Sequence, residues 1–211
     1  MSKKHRKPTG EMENVLKLGP AGTSKMELFQ FPDTKDQIEE KIAELFLKLI
    51  ETNNISDLKG LSLKRNQEYD LDFCLFSDGK KYLLELTEFT PTGNMKGGYR
   101  KLKYSHNIVE HAQKIIDLIQ MKSDKYSSIK AEIILLAYIS DQRSLPSNST
   151  EKIIKQYLIA NKSSFSYIFL ILPIMENDGP LISLYPNDAK PSPDEVIKKI
   201  KNNTVHNLKS G

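Results

Sequence analysis

The chain has 211 residues, 38% hydrophobic and 27% charged, a balance that suits one soluble domain with a sizeable core. No apolar run approaches the ~20 residues of a membrane span, and the N-terminal stretch has no apolar signal region, so a cytoplasmic protein without membrane contact is expected. A single cysteine, Cys74, excludes an intrachain disulfide and a cysteine-built zinc cluster, while a net charge of +4 is compatible with a polyanionic partner.

Residues 1–30 read as a flexible tail. Met1 to Gly10 is a basic run, and Gly19-Pro20-Ala21-Gly22 breaks any pattern. Such a tail is either solvated chain or an arm that touches phosphates. One α/β domain over 31–211 follows. Its first helix spans Asp36 to Glu51, with Thr34 and Gln37 as a capping box and Ile38, Ile42, Leu45, Phe46, Leu49 and Ile50 as the apolar stripe. Leu61 to Arg65 is a short strand. Two longer strand-like runs come next, Glu68 to Phe76 and Lys80 to Phe89, joined at Asp78-Gly79. Pro91 to Gly98 is a loop. Tyr99 to Met121 reads as a second helix with Leu102, Ser105, Val109, Ala112, Ile116 and Ile119 on one stripe.

Ala131 to Ile139 is nearly all apolar, as expected of a strand covered on both faces. Ser144 to Thr150 is a polar loop and Glu151 to Asn161 a short helix. Ser166 to Pro173 is another buried strand and Leu181 to Tyr185 an edge-like one. A terminal helix starts at Ser192-Pro193, with Glu195 completing its cap. The order predicts a mixed sheet with helices on both faces.

The hairpin carries the candidate chemistry. Asp-Gly between two β-rich runs favours a two-residue turn, because both turn positions need positive φ. Facing residue numbers then sum to 157, which sets Asp72 opposite Glu85 and Asp70 opposite Thr87. All four side chains fall on the face that also holds Cys74, Phe76, Leu83 and Phe89. Opposed carboxylates repel by a few tenths to ~1 kcal/mol, and more when desolvated. A chain that keeps such a pair beside apolar neighbours has a use for it, most simply to hold a hard divalent cation. Lys96, Arg100 and Lys103, around the Gly97-Gly98 hinge, form a basic cluster near this place, either a solvated run or a phosphate-backbone contact. His106 and His111 differ by five on one predicted helix and share no face. Cys74 has no neighbouring base and reads as a core residue.

The element order, together with Asp72 and Glu85-Leu86-Thr87, resembles the PD-(D/E)xK nuclease superfamily, whose fold is restriction-endonuclease-like with αβββαβ order. The acids stand 13 positions apart, and the resemblance covers about residues 34 to 175. Asp72 corresponds to the first acid and Glu85 to the second, while Thr87 fills the position of the motif lysine. The resemblance implies a Mg²⁺-dependent phosphodiesterase acting on DNA, with Mn²⁺ able to substitute. Asp72 and Glu85 would hold the metal, Asp70 being a further ligand or else a strand-start residue facing water. A glutamate from the first helix often joins the site in this family. Glu39, beside the apolar stripe, is the choice here, or else a surface residue flanking the core. Lys101, on the predicted stripe of Ser105, Ala112 and Ile119, is the candidate for a migrated lysine, or else a loop residue. Homodimers are common in this fold class and would suit double-strand cleavage. A second reading keeps the fold without catalysis, as a nucleic-acid-binding or assembly module. A third makes the hairpin acids ordinary surface charges of some other α/β domain.

Overall fold

The fold is seen in a computed structural model that describes residues 16–19, 22–25, 28–66, 69–77, 79–89 and 107–186. Lys96, Arg100, Lys101, Lys103, His106, the basic run of residues 1–10 and the helix expected from Ser192 lie outside the described residues.

The first element departs from the expected tail. Strands β1 (Leu16–Gly19) and β2 (Gly22–Lys25) pair antiparallel, with Gly19 facing Gly22. The glycines read as pattern breakers are thus the closing pair of a hairpin. Leu28 bridges to Met175, and the Phe29 amide donates to the Ile174 carbonyl at 2.8 Å, so the chain is tied to the domain before residue 31.

Helix α1 (Lys35–Thr52) is capped by Thr34, whose hydroxyl oxygen accepts from the Gln37 amide. Its six predicted stripe residues are all buried. Strands β3 (Ser62–Arg65), β4 (Phe73–Ser77) and β5 (Lys80–Phe89) form an antiparallel meander. Helix α2 (Ile108–Lys125), β6 (Glu132–Ile139), α3 (Asn148–Ala160), β7 (Tyr167–Ile171) and β8 (Leu181–Tyr185) complete the order. The six strands β3 to β8 lie in sequence order. The β5–β6 and β6–β7 pairs are parallel, and β7–β8 is antiparallel.

Period-two alternation divides two cores across this sheet. Phe73, Leu75, Tyr82, Leu84, Leu86, Leu136 and Phe169 pack with the α1 stripe. Cys74, Leu83, Phe89, Leu135, Ala137 and Leu170 pack with Ala112, Ile115, Ile116 and Ile119 of α2 and Ile154 and Leu158 of α3. The architecture is α/β, a six-stranded mixed sheet with helices on both faces, and no helix among the described residues is long and apolar enough to cross a membrane.

Helix boundaries shift in two places. α2 begins at Ile108, because the Asn107 side chain accepts from the Val109 and Glu110 amides and fixes the cap there. Of the stripe on which Lys101 was expected, Ala112 and Ile119 are buried on α2, while Lys101 and Ser105 lie outside the described residues. The same helix runs past Met121 to Lys125. α3 starts earlier than expected because Ser147, inside the predicted loop, caps it through the Thr150 amide.

Candidate active site

The hairpin register is the predicted one as far as the ladder extends. Ser77 faces Lys80, Cys74 faces Leu83, and Phe73 faces Leu84. There the ladder stops. Tyr69 adopts the left-handed backbone conformation, with φ 62°, and the chain turns through residues 69–72 instead of continuing as strand. The expected pairs Asp72–Glu85 and Asp70–Thr87 are therefore not ladder partners. β5 continues five residues beyond its last β4 neighbour, to Phe89.

That open edge organises the site. Alternate amides of β5 point toward β4, and the next in this series after Leu84 belongs to Leu86. The Asp72 carboxylate takes this proton, with Oδ2 accepting from the Leu86 amide at 2.7 Å. The Asp72 amide in turn donates to the Leu84 carbonyl at 3.1 Å. One side chain thus substitutes for the missing strand. The gap also lets groups from both faces of the sheet meet. A cavity of 350 Å³ is lined by Lys35, Glu39, Asp70, Asp72, Glu85, Leu86, Thr87, Glu88, Lys122, Lys125 and Tyr138.

Five residues expected at the site therefore share one cavity: Glu39, Asp70, Asp72, Glu85 and Thr87. Glu88 lines it too, although the even-numbered neighbours Leu84 and Leu86 on β5 pack on the α1 side. Its Oε1 accepts from the Ser140 hydroxyl.

Each of three acids is held by a lysine. Glu85, only 4% exposed, accepts from Lys122 Nζ at 2.6 Å through Oε1, and the Tyr126 hydroxyl lies 2.7 Å from its Oε2. The same hydroxyl lies 2.8 Å from the Asp70 carbonyl. Asp70 Oδ2 pairs with Lys125, which holds its carboxyl below the usual range. Glu39 pairs with Lys35 at 2.9 Å, and Arg65 stands 4.0 Å from its other oxygen. The hydrogen bond to Glu39 raises the Lys35 ammonium above its ordinary value, with Asp72 and Glu85 adding to the effect.

Asp72 differs from these three. Burial pushes its carboxyl up to about 6, the Leu86 amide opposes this, and the nearby Glu39 and Glu85 charges reinforce it. Its titration is thereby moved up toward neutral pH.

The three lysines escaped the sequence reading. Lys122 and Tyr126 continue the buried line of Ile115 and Ile119 at helical spacing, a signal visible only once the helix is allowed past Met121. Lys35 is one turn before Glu39 on α1.

Among the described residues, no set of three or more His, Cys, Asp or Glu side chains is arranged as a metal-binding group. The donors offered are nonetheless oxygens only, which suits a hard cation, and Mg²⁺ typically takes one or two carboxylates from a protein. The lining holds five carboxylates and three lysines, a formal charge of −2 with Asp72 ionised. Such a cavity is electrostatically more favourable to a cation than to a bare phosphate.

Compared with protein-family models, curated proteins and solved structures, the chain matches none.

Proposed function

We propose that the chain is a Mg²⁺-dependent phosphodiesterase of PD-(D/E)xK type, cleaving nucleic acid, in the first instance DNA, on a restriction-endonuclease-like arrangement of its elements. The observation that carries this reading is the convergence of Asp72 and Glu85 with Glu39 in one net-negative cavity that also holds three lysines. Order of elements supports it as well: a helix, an antiparallel three-strand meander, a helix and a parallel strand.

Mg²⁺, when bound, supplies charge to the scissile phosphate and acidifies water. Asp72 and Glu85 would hold it, Asp72 as the ligand that must first lose its proton. Lys122 takes the role the motif assigns to a lysine and the sequence reading assigned to Lys101. Its ammonium touches Glu85, so it is positioned to meet the charge that develops on the phosphate. The Thr87 hydroxyl stands where it can orient water. Lys35 and Lys125, paired to Glu39 and Asp70, would add positive charge to the lining of the same cavity.

The direct test is cleavage of DNA in Mg²⁺ by the wild type and by the Asp72→Ala/Glu85→Ala double variant. The wild type is expected to cut and the double variant to be inactive; equal cleavage by both would sink the assignment. Titration calorimetry adds a signature specific to Asp72. Mg²⁺ affinity is expected to be higher at pH 7.5 than at pH 5, because the proton held with a pKa of about 6 must leave.

The lysine-held carboxylates and Thr87 at the motif position favour a second reading, a nucleic-acid-binding module without catalysis. That reading expects no carboxylate-dependent heat on adding Mg²⁺.

A further inference from the structure

Tyr69 is 64% exposed and sits in the left-handed backbone region, with φ 62°. Residues with a β-carbon rarely adopt that conformation, and glycine or asparagine suits it better. The residue is thus unfavourable twice over, as an exposed ring and as a strained backbone. Packing gives no return for either.

The turn that carries Tyr69 is nevertheless firmly placed. At the next residue, the Asp70 carboxylate is paired to Lys125 and the Asp70 carbonyl lies 2.8 Å from the Tyr126 hydroxyl. Two residues further on, Asp72 is fixed to β5. Lys125, partly exposed, is the cation held at this turn. An exposed aromatic side chain is therefore carried one residue before Asp70, which lines the cavity and is paired to Lys125.

We propose that Tyr69 is a stacking platform for an unpaired base, and that the preferred ligand is single-stranded nucleic acid. This rests on the phosphodiesterase reading and sharpens it. A base offers its face to a side chain only when it is out of the duplex stack, and a stacked aromatic beside cationic side chains is the usual way such strands are held. Lys125 meets a flanking phosphate, and the ring meets the base.

The test exploits the absence of tryptophan from the chain. Tyr69→Trp, made in the Asp72→Asn background so that the strand stays whole, is titrated in Mg²⁺ with single-stranded oligodeoxythymidine and with a blunt duplex. Saturable quenching of the single tryptophan by the single strand, and little change with the duplex, is the expected result. In parallel, Tyr69→Gly in the same background removes the ring and relieves the left-handed strain, so folding is maintained. Its affinity for a fluorescently labelled strand is expected to fall about 5- to 150-fold, the worth of one base stacked on one ring. Unchanged affinity of Tyr69→Gly, or tryptophan emission unmoved at saturation, would overturn the stacking role while leaving the phosphodiesterase reading intact. Failure of the wild type, with Ca²⁺ in place of Mg²⁺ to hold back cleavage, to bind any strand would remove both.

Discussion

Asp72→Asn is expected to yield a protein that is more stable at neutral pH and inactive. The stability side follows from linkage. The native carboxyl titrates near 6, above the 3.8 of an unperturbed aspartate. Between those values the native state keeps a proton that the unfolded chain has released. Stability from this group is therefore full below about pH 4 and is lost as the pH rises through 6. At pH 7 the ionised, half-buried carboxylate costs about 1–3 kcal/mol relative to a neutral side chain. Asparagine removes that charge and keeps an oxygen to accept from the Leu86 amide. Its melting temperature should exceed that of the wild type at pH 7.5, and the difference should vanish at pH 4. The activity side has the opposite sign. Losing the charged ligand should lower Mg²⁺-dependent cleavage by at least about 10²–10³-fold. A variant no more stable than the wild type at pH 7.5 would show that the Asp72 carboxyl is not raised in the native state. Wild-type cleavage by it would remove Asp72 from the site.

Lys122→Met is expected to unfold far more easily. Lys122 is 19% exposed and Glu85 5%, so the pair is shielded from water. Methionine keeps most of the apolar stem but leaves the Glu85 carboxylate with the Tyr126 hydroxyl alone. Breaking one side of such a pair strands a buried charge, and a loss of about 2–4 kcal/mol is expected in urea titration. Adding Mg²⁺ should restore more stability to Lys122→Met than to the wild type, since the cation meets a carboxylate no longer engaged by lysine. Equal denaturation midpoints for the two proteins would mean that the ion pair carries no weight.

Much of the frame was legible because it rests on local chemistry. Thr34 and Gln37 marked the start of α1, and its stripe named the residues that are buried. Asp78-Gly79 fixed a register that holds from Ser77–Lys80 to Phe73–Leu84. Elsewhere, periodicity misled. Leu102 and Ser105 extend the apolar spacing of α2 backward, but periodicity does not register a cap, and Asn107 sets the start. The alternation Tyr69-Asp70-Leu71-Asp72 has strand spacing, yet Tyr69 takes a backbone conformation that no strand allows. The acids still reach one cavity, because the turn folds Asp72 back onto β5. That arrangement depends on the bond from Leu86 to Asp72, fourteen positions apart, which no local pattern reports. The site's lysines lay hidden for a related reason: a cation on a helix flank declares its role only when an acid from another element arrives beside it.

Three carboxylates in the cavity come with cationic partners, Lys35, Lys122 and Lys125. The charge that many metal sites leave to the metal to neutralise is largely balanced here by the chain's own ammonium groups. On the proposed metal-dependent reading, folding is expected not to depend on metal supply. Chelation should silence the protein without loosening it, and its melting curve in EDTA should overlay that in buffer alone. A cell short of the cation would hold a dormant, intact molecule ready to be charged.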